Sequence, residues 1–153
     1  MNQKLLKEIK RCRDDFEYFA GRWLKIVDMQ GKERTLTLKP AQKKLIDMCE
    51  KHSDLCVLKG RKMGSSTVIS AWFCWMANFR PNTRVLVLAH TDKSARNIFK
   101  IYKRFFKALP PEMTHTILQS NLEEILLDNG SWLRVVSASS ESARGTDADL
   151  IHG

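Results

Sequence analysis

The residues best suited to chemistry lie in one short stretch, Lys59 to Thr67, which reads KGRKMGSST. It follows the apolar run 55–58 and precedes a second apolar run at 68–79. A strand, a glycine-containing turn and a helix that begins with hydroxyl residues are the parts of a phosphate-binding loop. In such a loop, backbone N–H groups and the positive helix end hold phosphate oxygens, and a hydroxyl at the helix start holds Mg²⁺. The stretch therefore predicts a site for ATP and Mg²⁺.

The stretch departs from the usual pattern G-x-x-x-x-G-K-[ST]. Gly64 fits the second glycine and Ser66 fits the hydroxyl, but Ser65 stands where the lysine is expected. Gly60 lies one residue too close to Gly64 to serve as the first glycine. A basic surface turn between a strand and a buried helix is the competing interpretation, and the loop alone does not decide between the two.

Three cations at the front of the turn can supply the missing charge: Lys59, Arg61 and Lys62. A β/γ-phosphate needs a nearby ammonium, and a guanidinium offers a fork of donors to the γ-phosphate. We assign the phosphate contact to Lys59, because it lies at the end of the predicted strand and its stem can reach across the turn. Lys62 is the alternative. The complete predicted nucleotide-contacting set is Gln42, Lys59, Gly60, Arg61, Lys62, Met63, Gly64, Ser65, Ser66 and Thr67.

Gln42 enters this set because of its chemistry and its position. It lies near the start of a helix predicted from Pro40 to about Lys51, with proline at a tolerated early position. A glutamine amide offers a donor and an acceptor, which match the N6/N7 edge of adenine. An exposed polar helix residue with no such role is the alternative interpretation.

Composition limits the class of protein. The chain has 153 residues, of which 43% are hydrophobic and 28% charged, so a soluble domain with a real core is expected. The net charge of +9 favours an anionic partner, either nucleic acid or nucleotide. No signal peptide and no run of about 18 apolar residues occurs, which predicts a cytoplasmic protein without a membrane span. The four cysteines, Cys12, Cys49, Cys56 and Cys74, form no C-x-x-C pair and are expected to be buried free thiols.

The order of elements predicts an α/β protein with a mostly parallel sheet. Before the loop we predict one or two amphipathic helices in 2–27, a short strand at 35–38 and the helix from Pro40. The strand and helix around the loop are followed by a buried parallel strand at 84–90 and a helix that is capped by Thr91-Asp92 and ends near 109. The last predicted elements are a strand at 114–118, a hairpin of 124–127 with 132–136 that turns at Asn129-Gly130, and a buried strand that begins at 149. We place a domain boundary between an N-terminal segment, 1–38, and the main domain, 39–153.

The helix after Asp92 carries a row of cations on its outer face. They are Lys93, Arg96, Lys100, Lys103, Arg104 and Lys107. A nucleic-acid-facing stripe and an ordinary solvated helix face are both consistent with this pattern.

The order of motifs resembles the N-terminal ATPase half of the large terminase subunit of tailed bacteriophages, the motor that packages DNA into preformed capsids. The motifs are Gln42 after a leucine-proline stretch, the loop GRKMGSS, the strand VLVLAHT, the NGS hairpin and the run SASSESARGTDADLI. The resemblance covers about residues 15–153. It implies a P-loop NTPase three-layer fold with a mostly parallel central sheet, incomplete in this chain and preceded by an N-terminal helical segment.

The resemblance also implies roles for individual residues. In this family an arginine at the position of Arg61 senses or stabilises the γ-phosphate, so Arg61 is the expected catalytic residue. Some members carry the phosphate lysine at the start of the loop, as Lys59 does. Gln42 matches the adenine-contacting glutamine, and Ser66 the hydroxyl on the Mg²⁺ side. Ser65 is the departure from the family pattern.

A second departure from the family lies after ARGTDADLI. Family members follow this run with a Walker B pair, an Asp that orders Mg²⁺ and a Glu that positions the attacking water. This sequence reaches Gly153 before such a pair and before any nuclease domain. We therefore expect a partial ATPase domain in which residues 1–153 bind ATP weakly and turn over little.

The expected partners also follow from the resemblance. They are double-stranded viral DNA, the portal protein, the small terminase subunit and further copies in a ring, in the host cytoplasm and transiently at the procapsid portal. A helicase-like DNA translocase and a non-catalytic domain that binds DNA or a capsid protein are the alternatives.

Overall fold

The computed structural model describes residues 2–58 and 64–153. The N-terminal segment forms two helices, α1 (Gln3–Asp14) and α2 (Phe16–Trp23), and a hairpin of β1 (Lys25–Val27) and β2 (Glu33–Thr35). Asn2 and Asp15 cap the two helices through their side chains. Of the one or two amphipathic helices predicted in 2–27, the structure has two. The short strand lies slightly earlier in the chain than its predicted range, 35–38.

Helix α4 (Ser65–Phe79) lies at the centre of the protein, and the prediction of an apolar helix after the loop is confirmed. All residues from 68 to 78 are buried, because α2, α3 and α5 pack against it. Helix α3 (Pro40–Lys51) has the predicted bounds and packs on α4. Within 2–58 and 64–153, no helix has the length and apolar character needed to cross a membrane.

The strand predicted at 55–58 is absent. These residues belong to no strand, and the side chains of Val57 and Leu58 are 45% and 102% exposed. An apolar run becomes a strand only where a neighbouring strand supplies a ladder of hydrogen bonds. No described strand pairs with these residues, so the prediction was wrong for them.

The remaining elements form one five-stranded sheet and its flanking helices. They are β3 (Arg84–Ala89), α5 (Asp92–Ala108), β4 (Ile117–Ser120), β5 (Glu124–Leu127), β6 (Trp132–Ser137), a 3₁₀ helix (Glu141–Ala143) and β7 (Leu150–His152). The strand order is β4-β5-β6-β3-β7. Thr91 accepts a hydrogen bond from Ser94 N and caps α5, and Gly130 turns the β5–β6 hairpin with φ 82°, as predicted.

The sheet is mixed, whereas a mostly parallel sheet was predicted. β6, β3 and β7 are parallel neighbours, but β4 and β5 are joined to their neighbours by antiparallel pairing. Short turns link these strands, and a short turn permits only antiparallel pairing. β7 pairs with β3 alone among the described strands, and Ile151 is 60% exposed, so the strand predicted as buried lies at a sheet edge.

The core lies between one face of the sheet and the helices. Val85 and Val87 of β3 stand beside Leu133 and Val135 of β6, and all four are buried in one apolar cluster with α4 and α5. The alternate residues of the same strands point to the opposite face, because side chains alternate along a strand. The helices packed on this mixed sheet place the chain in the α/β class.

The N-terminal segment packs into the same core. Trp75 of α4 donates from Nε1 to the carbonyl oxygen of Cys12 at 2.8 Å, and its ring lies 5.6 Å from that of Phe16. The rings of Phe19 and Phe79 form an edge contact at 5.4 Å. The proposed division of the chain at residues 38 and 39 stays a prediction.

The four cysteines are free thiols that differ in burial. Cys12 and Cys74 are buried, as predicted, and burial raises the pKa of the Cys12 thiol to about 11 and that of Cys74 further. Cys49 is half-buried, and burial raises its pKa as well. Cys56 is exposed, contrary to prediction, because it lies in the segment that forms no strand.

Candidate functional site

The described part of the predicted loop is the start of α4. Gly64 precedes the helix with φ 70° and ψ 14°, a left-handed conformation that favours glycine, and as the N-cap residue it has no side chain to cap the helix. The first N–H groups of an α-helix have no partner within the helix, and the helix dipole makes this end positive. These are the features that suit an anion. Lys59, Gly60, Arg61, Lys62 and Met63 lie outside the described residues.

Gln42 lies against this helix start, although 22 positions separate it from Gly64 in the chain. A Cβ atom at Gly64 would lie 2.8 Å from Gln42 Nε2, so the amide reaches the space that only glycine leaves open. The Gln42 side chain is largely buried, and its Oε1 accepts a hydrogen bond from Lys39 N at 2.9 Å. The structure thus brings two predicted site residues together. One role of the glutamine, capping of α3, was not predicted.

The hydroxyl residues of the loop lie half-buried in the first turn of α4. Ser65 Oγ is buried and has no hydrogen-bond partner among the described residues. Buried polar atoms in proteins are nearly always satisfied, so an orphan hydroxyl here suits a bound polar group. Ser66 and Thr67 stand beside it, as predicted. Three features here suit a phosphate-bearing ligand: the start of α4, the glycine before it and the Ser65 hydroxyl without a partner among the described residues.

A cavity of about 700 Å³ opens beside Ser65 and was not predicted. It lies between the end of α3, the segment 52–57, α4 and β7. Its apolar wall includes Leu45, Cys49, Ile69, Trp72, Phe73 and Leu150. No local pattern could have revealed it, because residues as far apart in the chain as Leu45 and Leu150 line it.

Asp149, in the run ARGTDADLI, ties β7 to β3. Its carboxylate accepts from the Arg84 guanidinium at 2.9 and 3.2 Å and from Arg84 N at 2.9 Å. The Arg84 side chain and backbone N–H hold the pKa of Asp149 below its ordinary value, and the carboxylate raises the pKa of Arg84. In the same run, Thr146 accepts from Arg134 at 3.3 Å. Asp149 and Thr146 therefore hold the backbone of the run ARGTDADLI against the sheet.

Replacement of Asp149 by Asn should cost a little stability at neutral pH, and this cost should disappear in acid. Both side chains are more than 40% exposed, so screening limits the loss to about 0.5–1 kcal/mol. A carboxyl whose folded pKa is lowered stabilises the fold above its unfolded pKa and loses that effect as the pH falls through the folded value. Urea unfolding at pH 7 and at successively lower pH should show the difference shrink in acid, as the carboxyl of the folded protein is protonated. Glu112→Gln is the control, because it replaces an exposed carboxylate that forms no ion pair among the described residues.

Gly64→Ala should destabilise the protein more than Gly31→Ala. Both glycines have positive φ, 70° and 76°, so both variants place an L-residue in a left-handed conformation that costs about 1–2 kcal/mol. At Gly31 no atom lies within 4 Å of the added Cβ, whereas at Gly64 Gln42 must move. The free energies of unfolding from urea titrations give the comparison. In a Gln42→Ala background the two glycine variants should cost the same; an unchanged difference would show that the Gln42 contact is not its cause.

The fold is shared with a known viral protein. The crystal structure of the HK97 bacteriophage large terminase superimposes with a TM-score of 0.70 over 91% of this chain, at 18% sequence identity. This likeness supports the fold. The chain spans 30% of the length of that protein.

The sequence identifies the family. Residues 56–152 match the family described as terminase large subunit, T4likevirus-type, N-terminal. This match covers more than half of the chain, so the chain belongs to the terminase large subunit family, whose role is phage DNA packaging. The resemblance read from the order of the motifs is confirmed.

Proposed function

We propose that this chain is the nucleotide-binding part of a terminase large subunit that couples ATP hydrolysis to translocation of viral double-stranded DNA into the procapsid. The observation that carries the proposal is the start of α4, where the N-cap residue is the left-handed Gly64, which offers no capping side chain, and Gln42 packs against that glycine. A helix start of this kind binds anions through its free N–H groups and its dipole. In this proposal the anion is the phosphate chain of ATP, and membership of the terminase large subunit family supports that choice.

The residues of the site divide the work. Backbone N–H groups of the first turn of α4 would hold phosphate oxygens, and the Ser66 hydroxyl would hold Mg²⁺. When bound, Mg²⁺ neutralises charge on the phosphates. Arg61 would contact the γ-phosphate, Lys59 the β/γ-phosphates, and the Gln42 amide the adenine edge. The P-loop architecture, the portal and small-subunit partners, a ring of copies and action in the host cytoplasm belong to the same proposal.

A nucleotide titration tests this function. A fluorescent ATP analogue with Mg²⁺ should bind residues 1–153 saturably, and Arg61→Ala should weaken ATP more than ADP because only ATP has a γ-phosphate. Arg13→Ala is the matched control, since that guanidinium lies on α1 and pairs with Asp14 at 3.1 Å. Equal losses for ATP and ADP would remove the γ-phosphate role of Arg61. No saturable ATP binding would overturn the proposed function.

A further inference from the structure

Helix α5 carries its six lysine and arginine side chains on one side. Six cations, here called the α5 basic stripe, are Lys93, Arg96, Lys100, Lys103, Arg104 and Lys107. At 3.6 residues per turn they fall within an arc of roughly 100°, and at 1.5 Å per residue they span roughly 21 Å. All six are exposed, and the opposite side of the helix is buried against the core.

The α5 basic stripe lacks the countercharges that a solvated helix face usually has. None of its six cations forms an ion pair with a carboxylate in 2–58 or 64–153. Elsewhere, Arg13, Arg22, Arg34, Lys43, Lys51, Arg84 and Arg134 each pair with an acid. The one carboxylate on α5, Asp92, lies in its first turn.

The spacing of the stripe places like charges next to each other. Neighbours three or four positions apart on a helix face repel when they carry the same charge, and cations near a helix start oppose the dipole. Lys100, for example, has Arg96 one turn before it and Arg104 one turn after it. A polyanion laid along the helix would relieve this repulsion, because each contact neutralises a phosphate and releases its counterion.

We infer that the α5 basic stripe contacts the phosphate backbone of double-stranded DNA, independently of base sequence. The choice of DNA as the polyanion rests on the proposed function. A duplex presents phosphates every 3.4 Å along each strand, so the stripe can follow roughly six of them. The aromatic side chains of α5 are Phe99, Tyr102, Phe105 and Phe106. All four are buried, so the exposed face offers no stacking platform for the bases of a single strand.

The salt dependence of duplex binding tests the inference. Lys100→Gln/Arg104→Gln removes two stripe charges, and Lys7→Gln/Lys10→Gln removes two exposed charges from α1 as a matched control. Fluorescence anisotropy with a 30-base-pair duplex should give a slope of log K against log salt that is smaller by about 1.8 for the stripe variant. Between 50 and 200 mM salt, the wild type should therefore lose roughly ten times more affinity than the stripe variant. The α1 variant should keep the wild-type slope, and circular dichroism should show that both variants fold.

Several results would overturn the inference. The first two are no duplex binding by the wild type at 50 mM salt and equal changes of slope in the two variants. The third is tighter binding of a single strand than of the duplex. The fourth is displacement of the labelled duplex by polyglutamate as readily as by unlabelled duplex, which would indicate an acidic protein surface as the partner. ATP titration of the stripe variant separates this inference from the proposed function. If the wild type binds duplex DNA but not ATP, only the nucleotide proposal fails. If it binds ATP but not duplex DNA, only the inference about the stripe fails.

Discussion

Trp75→Ala is expected to lower the free energy of unfolding by about 3–5 kcal/mol, as for other buried Trp and Phe side chains cut to Ala. The indole is 9% exposed and packs on Phe16, so its removal leaves a cavity between α4 and the N-terminal helices. It also removes the donor to the Cys12 carbonyl, one of the α1 end carbonyls that have no partner within the helix. Urea unfolding followed by circular dichroism measures the loss.

Trp75→Phe separates the two contributions. It keeps most of the buried ring and removes only the hydrogen bond, so a loss of about 1–3 kcal/mol is expected from the buried carbonyl left without its donor. Phe79→Ala, a half-buried position on the same helix, is the control for the general cost of aromatic removal. A Trp75→Ala variant as stable as wild type would mean that α1 does not pack on α4 in this way.

Lys59→Ala should weaken nucleotide binding by about ten- to a hundredfold, the second-largest effect expected. A desolvated charge-assisted contact to phosphate contributes about 1.5–3 kcal/mol, which converts to that range. Residues 55–58 form no strand, so the preference for Lys59 rests on the family resemblance, in which some members carry the phosphate lysine at the start of the loop. Titration with a fluorescent ATP analogue and Mg²⁺ gives the two affinities.

Lys62→Ala is the matched control, because it removes the same charge from the same loop. Only a few-fold change is expected for it, since mid-loop side chains usually point away from a phosphate that backbone N–H groups bind. A larger loss in Lys62→Ala would exchange the two assignments. If neither variant lost affinity, the loop would not be a phosphate site.

Local patterns were sufficient to predict most of the elements. Thr91 and the alternation of apolar and basic residues after it define α5, since a cap and a helical period act within a few residues. Asn129-Gly130 likewise predicted the β5–β6 turn, because a left-handed turn position favours glycine. The order of the motifs was enough to identify the terminase family. The start of α4 at the hydroxyl residues after Gly64 could also be read from the sequence alone.

Contacts between distant segments were decided only by the tertiary structure. The proximity of Gln42 to Gly64, the pairing of Asp149 with Arg84 and the bond from Trp75 to Cys12 each join residues at least 22 positions apart. The absence of a strand at 55–58 has the same origin, because strand formation depends on a partner elsewhere in the chain. A cap or turn is a property of neighbouring residues and can be read in order. A sheet partner, a cavity or a glutamine that packs against a distant glycine depends on how the folded elements pack, and packing depends on the whole chain at once.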